Sequence, residues 1–343
     1  MNDIPNREDG LERLQAALSA RSMVKDWAAG AELMELIRAV HEAGWLERMH
    51  GRTTVEELAS KTGTSTEAVS DVLEVLASAG VVQAEDTSFQ LSEAFDALVQ
   101  GASGVDLSTA LAAHDLARIC IAEATGRVDS RSGFDGALAL ARDWGVRAGG
   151  GARQLYGLVY EALPEYRDRL AAGGPLLDVG SGVGGALLTT LSLFPGLRAV
   201  GVEIVPAVAA ETRDRAEEAG VASRVAVRAV DARSLEDESA FAVCYWAQGF
   251  FPAGTRTDVL KAIFRALQPG GLLLMQETFP STTARDGCTT RSRLDRLVYR
   301  RQNIAYGLSA EDLVAEAEAA GFQDLLVLDS PAGRLVMVRK PRR

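Results

Sequence analysis

Histidine is scarce in this sequence: His41, His50 and His114 are the only three, all in the first third of the chain. Any proton transfer in the remaining two thirds proceeds without an imidazole, the side chain whose ordinary pKa lies nearest neutrality. Cysteine is equally sparse. Cys120, Cys244 and Cys288 are widely scattered and form none of the close pairs that hold a metal, so no metal site is expected and a reducing cytoplasm is the simple reading. No apolar run approaches the roughly 20 residues that span a bilayer. The stretch from Met1 to Gly10 is polar and acidic, without the basic-then-apolar order of a secretory signal. Basic charge is in deficit too. Lys and Arg number 36 against 47 Asp and Glu, and the formal charge of -11 repels nucleic acid and anionic membranes.

What remains is an ordinary globular composition, 47% hydrophobic and 24% charged, on 343 residues. That length suits two domains, each able to bury its own core. From Met23 to Gln100 the pattern reads as helices followed by a small hairpin. Thr53 and Thr54 precede Glu56 and Glu57 as a cap precedes a first helical turn, Gly63 interrupts, and Ser65-Thr66-Glu67 starts a second helix. Gly80 ends it, and Val81–Gln83 and Ser88–Leu91 flank a polar turn. This is a winged helix-turn-helix pattern. Its charges oppose DNA binding, because between Gly51 and Gly80 Arg52 and Lys61 face Glu56, Glu57, Glu67, Asp71 and Glu74. A packing and dimerisation module over residues 1–104 is the favoured reading.

Residues 105–172 stay helical and read as a connector. Beyond Gly174, over 173–343, short apolar runs alternate with amphipathic helices, which predicts a parallel α/β sheet. The runs are Leu176–Val179, Ala199–Val202, Val225–Val227, Phe241–Cys244 and Leu272–Met275. Two late runs, Leu325–Leu328 and Leu335–Val338, are separated by six residues, too few for a helical crossover, so they should pair antiparallel.

After the first of these strands comes Asp178-Val-Gly180-Ser-Gly182-Val-Gly184-Gly185, leading into Ala186-Leu187-Leu188. Glycines there allow a tight turn and let backbone N–H groups approach a ligand at a helix N-terminus. Such turns are common, and the GxGxxG spacing of dinucleotide folds is satisfied as well. The second strand ends in Glu203, whose carboxylate can accept both hydroxyls of a ribose, or lie solvated in a loop. The third runs into Asp231-Ala232, placed to meet an adenine edge or to cap the following turn. Together with Gln268-Pro-Gly270-Gly271, these residues resemble the class I S-adenosylmethionine-dependent methyltransferases from Gly174 to Lys340.

The resemblance implies a Rossmann-like, seven-stranded sheet with an antiparallel last strand and S-adenosylmethionine as cofactor. It implies a cofactor site of Asp178, Gly180, Gly182, Gly184, Glu203, Asp231 and Ala232. The N-terminal winged helix places the chain near small-molecule O-methyltransferases of natural-product pathways, in which that domain forms a homodimer and helps close the substrate pocket. One departure stands out. Many of those enzymes carry a catalytic histidine in a His-x-Trp stretch after the fourth strand, and here the segment is Cys244-Tyr-Trp246-Ala-Gln248-Gly-Phe250-Phe251-Pro252. The base is absent. Glu277, after the fifth strand, is the nearest candidate for proton acceptor, or else a structural acid.

The face of Trp246 is placed to meet a sulfonium or carbocation, or simply to wall a pocket. Gln248 and Phe251 are candidate substrate contacts from the same segment, and so are Tyr156 and Tyr160, one helical turn apart. Arg285 to Arg301 holds six arginines, and on a helix Arg301 falls within the face of Leu294, Leu297, Val298 and Ile304. A cation there calls for an anionic partner, on the substrate or on the protein. The leading expectation is methyl transfer to a small molecule, with oxygen slightly favoured as acceptor. C-methylation of an anionic acceptor such as a 2-oxo acid or prenyl diphosphate, and a ligand-sensing winged-helix regulator, are the alternatives.

Overall fold

The computed structural model describes residues 7–101, 104–126, 135–278 and 289–342, so Arg285, Cys288 and the first six residues of the opening stretch lie outside. Two compact units emerge, Met1–Gln100 and Gly101–Arg343. The segment 105–172, expected as a separate connector, groups with the second unit.

The first unit begins with the long helix α1 (Arg7–Glu42). A two-residue strand β1 (Thr53–Thr54) leads to α2 (Val55–Thr62) and α3 (Thr66–Ser78), then to the hairpin of β2 (Val82–Glu85) and β3 (Ser88–Leu91), and finally to α4 (Glu93–Gln100). The caps fall where the sequence puts them: the Glu57 and Ala68 amides donate to Thr54 and Ser65 hydroxyls, each at 3.2 Å. Gly63, at φ 71, takes the left-handed conformation that stops α2. The three strands pair antiparallel in the order β1-β3-β2 over a core that includes Leu58, Leu73 and Leu76.

The second unit opens with α5 (Leu107–Ala124), α6 (Gly136–Trp144), α7 (Gly150–Glu161) and α8 (Pro164–Ala171). There follow β4 (Leu176–Val179), α9 (Gly185–Leu193), β5 (Ala199–Glu203), α10 (Pro206–Glu218), β6 (Val225–Ala229), β7 (Phe241–Trp246), α11 (Arg256–Ala266) and β8 (Leu267–Gln276). The unit closes with α12 (Thr290–Arg301), α13 (Ala310–Ala319), β9 (Gln323–Ser330) and β10 (Gly333–Arg339). The seven strands run in the order β6-β5-β4-β7-β8-β10-β9. Only β10 opposes the rest, being antiparallel to both β8 and β9. Among the described residues no helix is long and apolar enough to cross a membrane.

Successive side chains of a strand point to opposite faces, and both faces of this sheet are covered. Leu177, Val179, Cys244, Trp246, Leu273 and Met275 pack with α11 and α13 on one side. Leu176, Val243, Leu272 and Leu274 pack with Tyr160, Tyr166, Leu187 and Leu191 of α7, α8 and α9 on the other.

Candidate active site

The glycine-rich turn caps the carboxyl end of β4, where open α/β sheets bind ligands. The amides of Gly180 and Ser181 both donate to the Val202 carbonyl, at 2.9 and 3.0 Å, which folds the turn over β5. Gly180 has φ 76, and a Cβ there would stand 2.7 Å from the Phe251 ring. Gly182, at φ 55, is different, because a Cβ on it would meet nothing within 4 Å. Its outer side is therefore open, with no side chain to stand between the backbone and a bound group. From within, the buried Thr212 hydroxyl donates to the Gly182 carbonyl at 2.6 Å. Gly184 lies at the N-cap of α9.

Three acids lie at or just past the carboxyl ends of β4, β5 and β6. Glu203, at the end of β5, accepts from the Gly182 amide at 3.1 Å and from the Val205 amide at 2.9 Å. Burial raises its pKa, opposed by those backbone donors. Asp178 is 2% exposed and its Oδ1 has no hydrogen-bond partner. Burial first, and the nearby Glu203 charge second, push it up to about 8. Asp231 is already engaged: it caps the turn after β6 and pairs with Arg233 at 2.6 Å, which holds it below its usual pKa. Ala232 is buried beside it.

Tyr156, Tyr160, Asp178, Thr190, Tyr245 and Gln276 line a narrow cavity on the α7–α9 face, with about 40 Å³ open to water. That is room for a water molecule or an ammonium-sized group. Tyr156 and Tyr160 meet edge to face at 6.1 Å, and the Tyr160 hydroxyl lies 2.5 Å from that of Thr190. Burial raises both phenols. Tyr245 and Gln276 were not anticipated. The sequence carried no signal for Tyr245, because the register that sets it beside Asp178 across the parallel strands β4 and β7 comes from the fold. A larger cavity of about 290 Å³ lies against α9 and α10, walled in part by Arg147 and Arg215. Both arginines are already paired, with Glu218 at 2.8 Å and Glu211 at 2.7 Å, and Val183 and Gly184 of the glycine-rich turn share the wall.

Neither Trp246 nor Arg301 lines the cavity around Asp178. Trp246 is fully buried on the opposite face of the sheet from Asp178, between the Arg256 guanidinium at 4.8 Å and the Phe251 ring at 5.5 Å. It packs within the core on that face. Arg301 is exposed at the end of α12, and Leu294 and Leu297 beside it are also exposed, so no buried cation there demands an anion. Gln248 is buried, and its Nε2 donates to the Gln276 carbonyl at 2.7 Å, bracing two strand ends. Phe251 supports Gly180 from below. Glu277 follows β8, with a buried Oε2 that makes no hydrogen bond and lies 3.4 Å from Arg334 Nη1. Burial raises its pKa and Arg334 opposes the rise. Among the described residues no three His, Cys, Asp or Glu side chains cluster to hold a metal.

Residues 176–271, from β4 into β8, match a family model described as a methyltransferase domain. No curated protein matches the sequence. Among solved structures, the mitomycin 7-O-methyltransferase MmcR is similar over 95% of this chain and 99% of its own, with 21% identity and a TM-score of 0.67. The pyocyanin biosynthetic protein PhzM is similar over 94% and 99%, with 17% identity and a TM-score of 0.67. Human N-acetylserotonin methyltransferase, solved in complex with S-adenosylmethionine, is similar over 94% and 98%, with 16% identity and a TM-score of 0.63. At these identities the likeness establishes the fold, and it extends over both units of the chain.

Proposed function

We propose that this chain is an S-adenosylmethionine-dependent methyltransferase acting on an oxygen of a small molecule of natural-product type. The observation that carries the reading is the cradle at the end of β4: an open backbone at Gly182, a carboxylate at Glu203, and the unpartnered buried carboxyl of Asp178. These suit a donor with a ribose and an ammonium group. Glu203 is the acceptor for ribose hydroxyls, as acids after the second strand are in related nucleotide sites. Asp178, within its narrow cavity, is the counter-charge for the ammonium, with Tyr156 and Tyr160 closing the space. For Asp231 to read adenine, its bond to Arg233 must open or be shared.

The bound donor supplies a methyl group on a positively charged sulfur. The chain's contribution is to hold donor and acceptor in line and to exclude water, and positioning of this kind supplies much of the rate in bimolecular reactions. Glu277 takes the acceptor proton. Its Oε2 is buried without a hydrogen bond, and although Arg334 Nη1 lies 3.4 Å away, burial still raises its pKa; a carboxylate with a raised pKa is the better base. Gln248 cannot do this, having no basic atom and a committed amide. C-methylation of an anionic acceptor has less support, because the exposed Arg301 supplies no enclosed cation. A regulator is disfavoured by the acidic α3.

The first unit, read as a winged helix, is the dimerisation module. Leu11, Leu14, Leu18, Met23, Val24 and Trp27 of α1 are about half or more exposed, Trp27 at 67%, and a second copy of the chain would cover them. A cytoplasmic location accords with the scarcity of cysteine. Calorimetric titration with S-adenosylmethionine, S-adenosylhomocysteine and NAD tests the donor assignment. One equivalent of the first two should bind; binding of NAD alone would overturn the reading.

A further inference from the structure

Arg256 is the first residue of α11, yet only 2% of its surface is exposed. A guanidinium so enclosed needs every donor answered. Nε donates to both carboxylate oxygens of Glu316 on α13, at 2.9 and 3.1 Å, and Nη2 to one of them at 2.6 Å. Nη1 donates to the main-chain carbonyl of Gln248 at 2.6 Å, and the cation lies over the Trp246 ring, 4.8 Å from its centre. From Gln248 the chain of contacts reaches the Gln276 carbonyl, one residue before Glu277. From Trp246 it passes edge to face onto Phe251, which lies directly under Gly180.

An apolar filling of this space would stabilise the fold as well as a buried ion pair does, often better. What apolar side chains cannot supply is a directed bond to the Gln248 carbonyl. We infer that Arg256, held by Glu316, is a positioning residue that fixes the segment Ala247–Phe251, so that Phe251 props the donor turn and Gln276 sets Glu277 against it. This rests on the donor reading above. Arg256 touches neither donor nor acceptor and acts through the segment it holds.

The test uses the full chain, with S-adenosylhomocysteine as probe, at a temperature where circular dichroism shows every variant folded. Arg256→Met should weaken binding about tenfold, equivalent to roughly 1.4 kcal/mol. The double variant Arg256→Met/Glu316→Leu removes both charges; its melting temperature should recover while affinity stays low. Arg169→Met is the control. It breaks bonds to the Ala242 and Gly270 carbonyls at the other ends of β7 and β8, and should lower the melting temperature with affinity within about twofold of wild type. If the double variant regains wild-type affinity with its stability, or if Arg169→Met weakens the probe equally, Arg256 is only structural. Should Arg256→Met fail to fold, Glu316→Gln, which keeps the shape, is expected to weaken the probe about threefold. If wild type does not bind the probe, the donor reading has failed, and amide exchange decides the positioning claim. The Ala247 amide, bonded to the Val179 carbonyl at 3.0 Å, should exchange faster in Arg256→Met, and unchanged exchange would refute it.

Discussion

The Gly182 amide and the Glu203 carboxylate are joined at 3.1 Å across the carboxyl ends of β4 and β5. Glu203 thus has two tasks, to hold the turn shut and to present its remaining lone pairs outward. A charged hydrogen bond of this kind contributes about 1.5–3 kcal/mol. Glu203→Ala is expected to weaken S-adenosylhomocysteine binding about 10- to 100-fold by calorimetry while the protein stays folded. Unchanged affinity would remove Glu203 from the site.

Asp178 links donor binding to pH. Its carboxyl ionises near 3.8 when free and near 8 when folded, so between those values the unfolded chain binds fewer protons than the folded one. The ligand-free protein therefore loses stability as pH rises from about 4 to about 8. Pairing with an ammonium requires the ionised form. Donor binding at pH 7 should accordingly release close to one proton, and affinity should climb up to about tenfold per pH unit until it flattens near the folded pKa. Calorimetry in buffers of differing ionisation enthalpy measures the proton. Asp178→Asn should abolish the release, and a full release in that variant would show another group to be responsible.

The two glycines beside Ser181 separate folding from binding. Gly180→Ala places a Cβ 2.7 Å from the Phe251 ring in a left-handed backbone, and should cost more than the roughly 1 kcal/mol of the conformation alone. Gly182→Ala meets open space. It should cost about 1 kcal/mol in thermal unfolding yet lose most donor affinity, because the new methyl occupies the ligand's side of the turn. Equal loss of binding and stability in both variants would contradict this.

Glu277→Gln should lower kcat by about 10²–10⁴-fold toward any accepted phenol or alcohol, with donor affinity little changed. In wild type the rate should fall as acid protonates Glu277, with a midpoint above the ordinary glutamate value of 4.5 because burial raises it. A variant with wild-type kcat would assign the proton to another group.

Dimerisation through α1 predicts that Leu14→Glu/Leu18→Glu, at side chains 56% and 52% exposed, converts the dimer to monomer in sedimentation equilibrium without unfolding it. A wild-type protein that is monomeric at tens of micromolar would end this assignment.

The strands were legible because a parallel sheet buried on both faces leaves continuous apolar runs, and the glycine turn was legible because its backbone tolerates little else. What could not be read was the allocation of faces. Trp246 and Tyr245 are adjacent in the sequence and equally apolar in context, but strand alternation sends Tyr245 toward Asp178 and Trp246 into the opposite core. With both faces buried, no polarity pattern marks the one that bears a ligand. Arg301 shows a related limit. A helical wheel defines a face but not what covers it, and here the face is divided: Leu294 and Leu297 stay exposed, Val298 is half-buried and Ile304 is buried. Arg256 gave no signal at all, since its partner Glu316 lies 60 residues away.

The position of β10 has a consequence for assembly. It follows β9 in the chain but lies between β8 and β9 in the sheet, so β9 has no place to bind until β10 is in register. The two are joined through Pro331 and Ala332 alone, a connection short enough for them to form together as a local hairpin. Such a hairpin would complete the sheet by docking as a unit against β8. Until that event the edge of β8 is unpaired, and afterwards β9 becomes the edge, with Leu325, Leu326 and Val327 still partly open to solvent. Substitutions that slow hairpin formation should therefore appear first as aggregation during refolding, and only second as lost stability.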